Sequence, residues 1–192
     1  MTNLETLYNS KLTSPSDIHE HLPTLKKYTE QCDHVTEMGV RWVTATYAFM
    51  MGHPKTMVSI DIVSIEDSCT IFNVPNVTTE SLYNIAKEEG IDYKFIVGDT
   101  RLIQIEPTDL LFIDTLHNYN QLKEELSLHN HKVKKYIILH DTHTFEYSGE
   151  SYDDTSVEGL GLAIKEFLED NNEWKLLEKF ANNNGLTILQ RV

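Results

Sequence analysis

Short apolar runs alternate with longer helix-period segments along most of the chain, and no other feature narrows the possible folds as far. The runs cover 34–38, 56–61, 93–97, 109–114 and 135–140, and four of the five finish at or beside an acidic residue or a His-Asp pair. Between and after them, 42–51, 79–89, 118–129 and 157–170 read as helices. Leu82, Ile85 and Ala86 share one face, and so do Leu160, Ile164, Phe167 and Leu168. Parallel strands need a crossover, usually helical, so this alternation marks an α/β fold with a parallel sheet. At the end, Trp174 to Phe180 and Leu186 to Leu189 flank Asn182-Asn183-Asn184-Gly185, a turn whose residues tolerate positive φ. An antiparallel hairpin is therefore expected to finish the sheet. Upstream, Ser14-Pro15-Ser16-Asp17 is expected to cap one helix running to about Gln31, giving a helical segment over 1–33 and the main domain over 34–192.

At 192 residues the chain has room for one well-buried domain, so cofactor and substrate must share one core. Thirty acidic against 16 basic residues give a formal charge of -14, which repels DNA, RNA and anionic lipid and argues against such partners. Cys32 and Cys69 fit neither a disulfide framework nor a zinc pattern and read as reduced thiols. No stretch reaches the roughly 18 apolar residues of a membrane helix, and the first residues lack the apolar core of a signal peptide. A soluble cytoplasmic protein is the expectation.

In an open parallel sheet, ligands bind beyond the carboxyl ends of the strands. The first such end is Glu37-Met38-Gly39-Val40-Arg41, where Gly39 permits close backbone approach and the following helix N-terminus suits an anion or carboxylate. Asp61, 22 residues after Gly39, ends the second run where a carboxylate can hold two ribose hydroxyls. Arg41 and Thr44 stand where a G-x-G-x-x-G motif needs glycines, which disfavours NAD. Gly98-Asp99-Thr100 follows the third run, with Asp99 able to accept from an adenine amino group. The fourth and fifth ends carry Asp114-Thr115-Leu116-His117 and His140-Asp141-Thr142-His143. If those strands are neighbours, Asp114 and Asp141 share one divalent cation, Mg²⁺ or Ca²⁺ by their oxygens, a first-row transition metal by the imidazoles. His117 or His143 then serves as general base. Bland readings go to Met50-Met51 as core, 123–125 as a solvated face, and His19, His21, His129 and His131 as surface. The acidic stretch 146–158 is either a plain loop or a lid over the site.

From about Val35 to the C-terminus the sequence resembles the class I S-adenosylmethionine-dependent methyltransferases, near the small branch that also resembles cephalosporin hydroxylase and macrocin-type O-methyltransferases. The resemblance is carried by Glu37-Met-Gly-Val-Arg-Trp42, Ser59-Ile-Asp61, Gly98-Asp99-Thr100, Leu111-Phe-Ile-Asp-Thr-Leu-His-Asn-Tyr119, His140-Asp-Thr142 and Asn184-Gly-Leu-Thr-Ile-Leu189. It implies a Rossmann-like, doubly wound α/β domain whose mostly parallel seven-stranded sheet has its last strand antiparallel. It also implies a cofactor site of Glu37, Gly39, Arg41, Asp61, Asp99, Thr100 and Asp114, with Gly39 against the methionine part, Asp61 on the ribose and Asp99 on the adenine side. Asp114 and Asp141 match cation-binding positions. His140, where metal-dependent members carry a carboxylate, completes the expected metal set, and Val43 replaces a usually small residue.

The expected activity is O-methylation of a small-molecule or sugar hydroxyl, with S-adenosylmethionine as donor, a divalent cation assisting, and Asp114, His117 and His143 as catalytic residues. A homo-oligomer is compatible with this reading. Two alternatives stand beside it: a metal-dependent hydroxylase on the same fold, and a non-catalytic nucleoside-binding protein.

Overall fold

The apolar runs pair as the alternation requires. The computed structural model describes residues 2–71, 77–151 and 156–192. Its strands are β1 (His34–Met38), β2 (Thr56–Asp61), β3 (Asp92–Val97), β4 (Thr108–Ile113), β5 (Val133–His140), β6 (Trp174–Phe180) and β7 (Leu186–Arg191). They form one seven-stranded sheet in the order β3-β2-β1-β4-β5-β7-β6. The first five are parallel, and β7 runs antiparallel to both β5 and β6. Strand order reverses between β1 and β4, the place where an open α/β sheet leaves a crevice at its carboxyl edge.

Side-chain alternation divides the core in two. On one face, Val35, Met57, Tyr93, Leu110, Phe112 and Ile138 pack under α1 (Asn3–Thr13), α2 (Leu22–Thr29), α3 (Thr44–Met50), α4 (Ile65–Ile71) and α5 (Thr79–Glu88). On the other, Met38, Ile60, Leu111, Ile113, Ile137 and Leu139 pack under α6 (Tyr119–His129) and α7 (Leu160–Asp170). Strands buried on both faces read as near-continuous apolar runs, which is why 109–114 and 135–140 stood out. Cys32 and Cys69 are free and buried. Among the described residues, no helix is long and apolar enough to cross a membrane.

The N-terminal region departs from expectation. Residues 3–13, read as a polar start, form α1, whose N-cap Thr2 accepts a hydrogen bond from the Glu5 amide. The expected helix from Ser14 to Gln31 is instead a connecting stretch, a single 3-10 turn at His19–His21, and then α2 with Pro23 in its first turn. The break has a cause in tertiary contacts. Asn183 donates to the Ser16 carbonyl and accepts from the Glu20 amide, holding this stretch against the β6–β7 turn. Also unforeseen is α4, directly after β2. In that turn Asn183, Asn184 and Gly185 all take positive φ, as its composition implied.

Candidate functional site

The loop leaving β1 is held in a conformation its side chains oppose. Gly39, Arg41 and Val43 take φ of 83°, 45° and 54°. Such values suit glycine and are costly for a β-branched residue. Surrounding bonds fix the loop: Asp61 Oδ2 accepts from the Val40 and Arg41 amides at 2.8 and 3.1 Å. Ser68 of α4 donates to the Arg41 carbonyl at 2.7 Å, and Lys11 of α1 to that of Trp42 at 3.3 Å. The loop amides expected to suit a carboxylate thus hold that of Asp61. A Cβ on Gly39 would lie 1.9 Å from the Asp114 carbonyl oxygen, so this glycine lets β1 and β4 end in direct contact.

Glu37 lies under this loop. It is fully buried, accepting from Ser59 Oγ at 2.6 Å and from Thr46 Oγ1 at 3.0 Å. Burial pushes its carboxyl up to about 8 against those two donors, so it is neutral near pH 7. Arg41 reaches outward, paired with Asp17 at 3.1 Å and stacked 4.0 Å over the Trp42 ring.

At the end of β3, Arg101 grips both oxygens of Asp99, at 3.1 and 2.7 Å, and this pairing holds the carboxyl below its usual range. Thr100 is buried and donates to Glu125 Oε1 at 2.5 Å. Glu125 also accepts from Thr115 and from Gln121, and His129 Nε2 lies 2.8 Å from the Thr100 carbonyl. Gln121, Glu125 and His129 therefore form a buried polar row on α6, tying the loop after β3 to the loop after β4. Expectation failed here: 123–125 is not a solvated face throughout, because Glu125 is buried. His21 and His129 are buried too, rather than on the surface. A polar residue at every fourth position, 121, 125 and 129, was a readable sign of an inward polar row.

β4 and β5 are neighbours, which brings the densest segments together. His117 Nε2 lies 2.8 Å from Asp141 Oδ2 and 3.3 Å from Asp114 Oδ1. His140 Nδ1 lies 3.3 Å from Asp114 Oδ2 and 3.5 Å from Asp141 Oδ2. A small cavity opens among Asp114, His117 and His140, walled by Leu122, Leu139 and Leu160. Burial alone would raise both carboxyls and lower both imidazoles. The facing charges outweigh it, holding Asp114 and Asp141 below the usual carboxylate range and His117 and His140 above the usual imidazole range. Asp141 has φ 59°, strain of the kind that gathers at functional sites.

The expected metal set passes a chemical test of fit. Donor atoms of Asp114, His140 and Asp141 lie within 4.8 Å of one another. Asp141 Oδ1 is a buried polar atom without a hydrogen-bond partner, and among the described residues His140 Nδ1 has only its ion pairs with the two carboxylates, as donors to a cation would. His143, the other expected base, stands apart. It is exposed, its amide donates to the Asn184 carbonyl at 2.9 Å, and among the described residues its ring makes no hydrogen bond or ion pair with the cluster.

Three contributors carried no motif. Glu150 Oε2 lies 3.0 Å from His117 Nδ1, and Phe145 stacks on the same ring at 4.6 Å. The Asp17 carbonyl lies 3.1 Å from His140 Nε2. Within the stretch expected as loop or lid, Ser148 bridges to Glu158 and the Glu150 amide donates to the His117 carbonyl, so 145–151 is laid over the end of β4. Residues 152–155 of that stretch lie outside the described residues.

No family model matches the chain, and no curated protein does. Solved structures do. An O-methyltransferase from Bacillus cereus in complex with SAH aligns over 98% of this chain and 90% of its own, at 14% identity and TM-score 0.62. A putative caffeoyl-CoA O-methyltransferase from Staphylococcus aureus aligns over 100% and 93%, at 12% identity and TM-score 0.63. An SAH-bound methyltransferase from Podospora anserina aligns over 100% and 89%, at 12% identity and TM-score 0.58. None of these likenesses bears on the narrower one to cephalosporin hydroxylase. The seven-stranded sheet, its reversed hairpin and its carboxyl-edge site thus make this the fold of the class I S-adenosylmethionine-dependent methyltransferases.

Proposed function

We propose that the chain is an S-adenosylmethionine-dependent O-methyltransferase acting on a hydroxyl of a small molecule or sugar, with a divalent cation at Asp114, His140 and Asp141. The observation that carries the reading is the Asp114, His140 and Asp141 cluster, its donor atoms within 4.8 Å of one another and Asp141 Oδ1 buried without a hydrogen-bond partner, beside the β1–β4 crevice of a fold whose solved members include SAH complexes.

In this reading the strained β1 loop and the ends of β2 and β3 receive the cofactor. Gly39 leaves backbone space for its methionine part, and Asp61 presents oxygens towards ribose while bracing the loop. Ile62 and Leu102, 69% and 81% exposed, follow Asp61 and Asp99 and offer apolar surface for a base. Methyl transfer needs the acceptor oxygen, the methyl carbon and the sulfonium in line, so positioning carries most of the rate. A bound cation would lower the pKa of an acceptor hydroxyl. Asp114 serves both halves: its carboxylate faces the cation site while its carbonyl abuts Gly39.

Calorimetric titration with S-adenosylmethionine, S-adenosylhomocysteine and NAD tests the reading. Binding of the first two and not of NAD is expected, and no affinity for either of the first two overturns it.

A further inference from the structure

We propose that Lys11 and Ser68 are positioning residues for the cofactor: their side chains hold the strained β1 loop in its receiving shape before any ligand arrives, in place of the glycines that loop lacks. The proposal rests on the cofactor reading above and extends it to residues outside the strand ends.

Arg41 and Val43 take φ of 45° and 54°, values that glycine adopts without strain and other residues do not. Backbone of this kind persists only where its surroundings over-determine it. Here they do. The Gly39 amide donates to the Ile60 carbonyl and the Val43 amide to the Val40 carbonyl, both at 2.9 Å. Asp61 accepts from the Val40 and Arg41 amides. Those bonds fix the amide side of the loop. The carbonyl side is fixed by the two proposed residues, Ser68 donating to Arg41 at 2.7 Å and Lys11 to Trp42 at 3.3 Å.

Both donors are placed at some expense. Ser68 is buried on α4, and its hydroxyl bonds to the loop rather than to the preceding turn of its own helix. Lys11 is partly buried on α1, where burial pulls its ammonium below the usual lysine range, and among the described residues it pairs with no carboxylate. A charged donor taken partly out of water gives the Trp42 carbonyl a stronger bond than a neutral one would. Two helices thus each supply one side chain to a loop that belongs to neither. A loop ordered in advance loses less entropy when a ligand binds, so removing both ties weakens whatever touches the loop. In the cofactor reading that is the amino-acid part and not the adenosine.

The test is calorimetric titration of the whole chain with S-adenosylhomocysteine and, separately, with adenosine, for the wild type and for the double variant Lys11→Met, Ser68→Ala. Expected is S-adenosylhomocysteine affinity about tenfold weaker in the variant, from two bonds of modest net strength, with adenosine affinity unchanged. The same two changes in an Arg41→Gly chain should weaken S-adenosylhomocysteine less, because glycine takes φ near 45° unaided. Unchanged S-adenosylhomocysteine affinity, an equal loss for adenosine, or equal losses in the two backgrounds would overturn the proposal and leave cofactor binding standing. No affinity of the wild type for S-adenosylhomocysteine overturns both. Amide hydrogen exchange of the unliganded wild type, which depends on no variant folding, should show Val40, Arg41 and Val43 already protected. Exchange there at the rate of an open loop until S-adenosylhomocysteine is added overturns the proposal.

Discussion

Glu37 shows how little a residue's neighbours in sequence reveal of its state. Its place at the end of an apolar run was legible, as was its closeness to the β1 loop. Its partners were not, because Ser59 reaches it through the strand register, in which Glu37 pairs with Ser59, and Thr46 through the first turn of α3. The same limit hid the Arg101 grip on Asp99 and the Glu150 contact with His117, since both depend on how loops close. Glu37 also has a measurable consequence. Its carboxyl titrates near 4.5 when unfolded and near 8 when folded. Between those values the folded chain holds a proton that the unfolded chain has lost, so stability from this group falls as pH rises through the window and levels off above it. The slope is at most about 1.4 kcal/mol per pH unit. Urea denaturation at pH 5, 7 and 9 should show Glu37→Gln gaining on the wild type as pH increases. A constant difference between the two curves would mean that the carboxyl is ionised in the fold.

At the scale of elements, the strands were legible because burial on both faces removes polar residues, and a continuous apolar run survives any uncertainty over ends. The N-terminal helices were harder. α1 carries only Leu4 and Tyr8 fully inside, and its stripe is crossed by polar residues, so its clearest mark was the Thr2–Glu5 spacing of a helix start. The break before α2 follows from its contacts with Asn183, more than 160 residues away, which no local pattern encodes. α6 was found as a helix, yet beside its buried Leu122 and Leu126 runs a buried polar row of Gln121, Glu125 and His129, where expectation had placed Glu125 in solvent. Glu125 there satisfies Thr100, Thr115 and Gln121 together. Removing it leaves buried donors unpaired and a small void, so Glu125→Ala should cost about 2–4 kcal/mol by urea denaturation. Hydrogen exchange should quicken around Thr100 and Thr115 before it does in β4. An unaltered denaturation midpoint would show that water replaces the carboxylate at no cost.

For the whole molecule, the sheet order was not legible in the sequence, since apolar periodicity establishes which segments are strands and not which are neighbours, and the resemblance supplied only the number of strands and the antiparallel end. What the order adds is convergence. β1, β2, β3, β4 and β5 all deliver their carboxyl ends to one edge, where Gly39, Asp61, Asp99, Asp114 and Asp141 stand or follow. Much of the acidic excess remains ordinary surface, while the carboxylates at this edge are held by hydrogen bonds, ion pairs or a strained backbone. A ligand contacting several strand ends at once stabilises the fold as a unit, because its binding free energy is lost when any of them unravels. At a free concentration one hundred times its dissociation constant, such a ligand adds about 2.7 kcal/mol. For a chain of 192 residues that corresponds to a rise in Tm of about 7 °C. S-adenosylhomocysteine should produce this shift in differential scanning calorimetry, and NAD at the same concentration should produce none. If both compounds shift Tm equally, the edge recognises adenosine in general, and the amino-acid part of the cofactor makes no contact with the β1 loop.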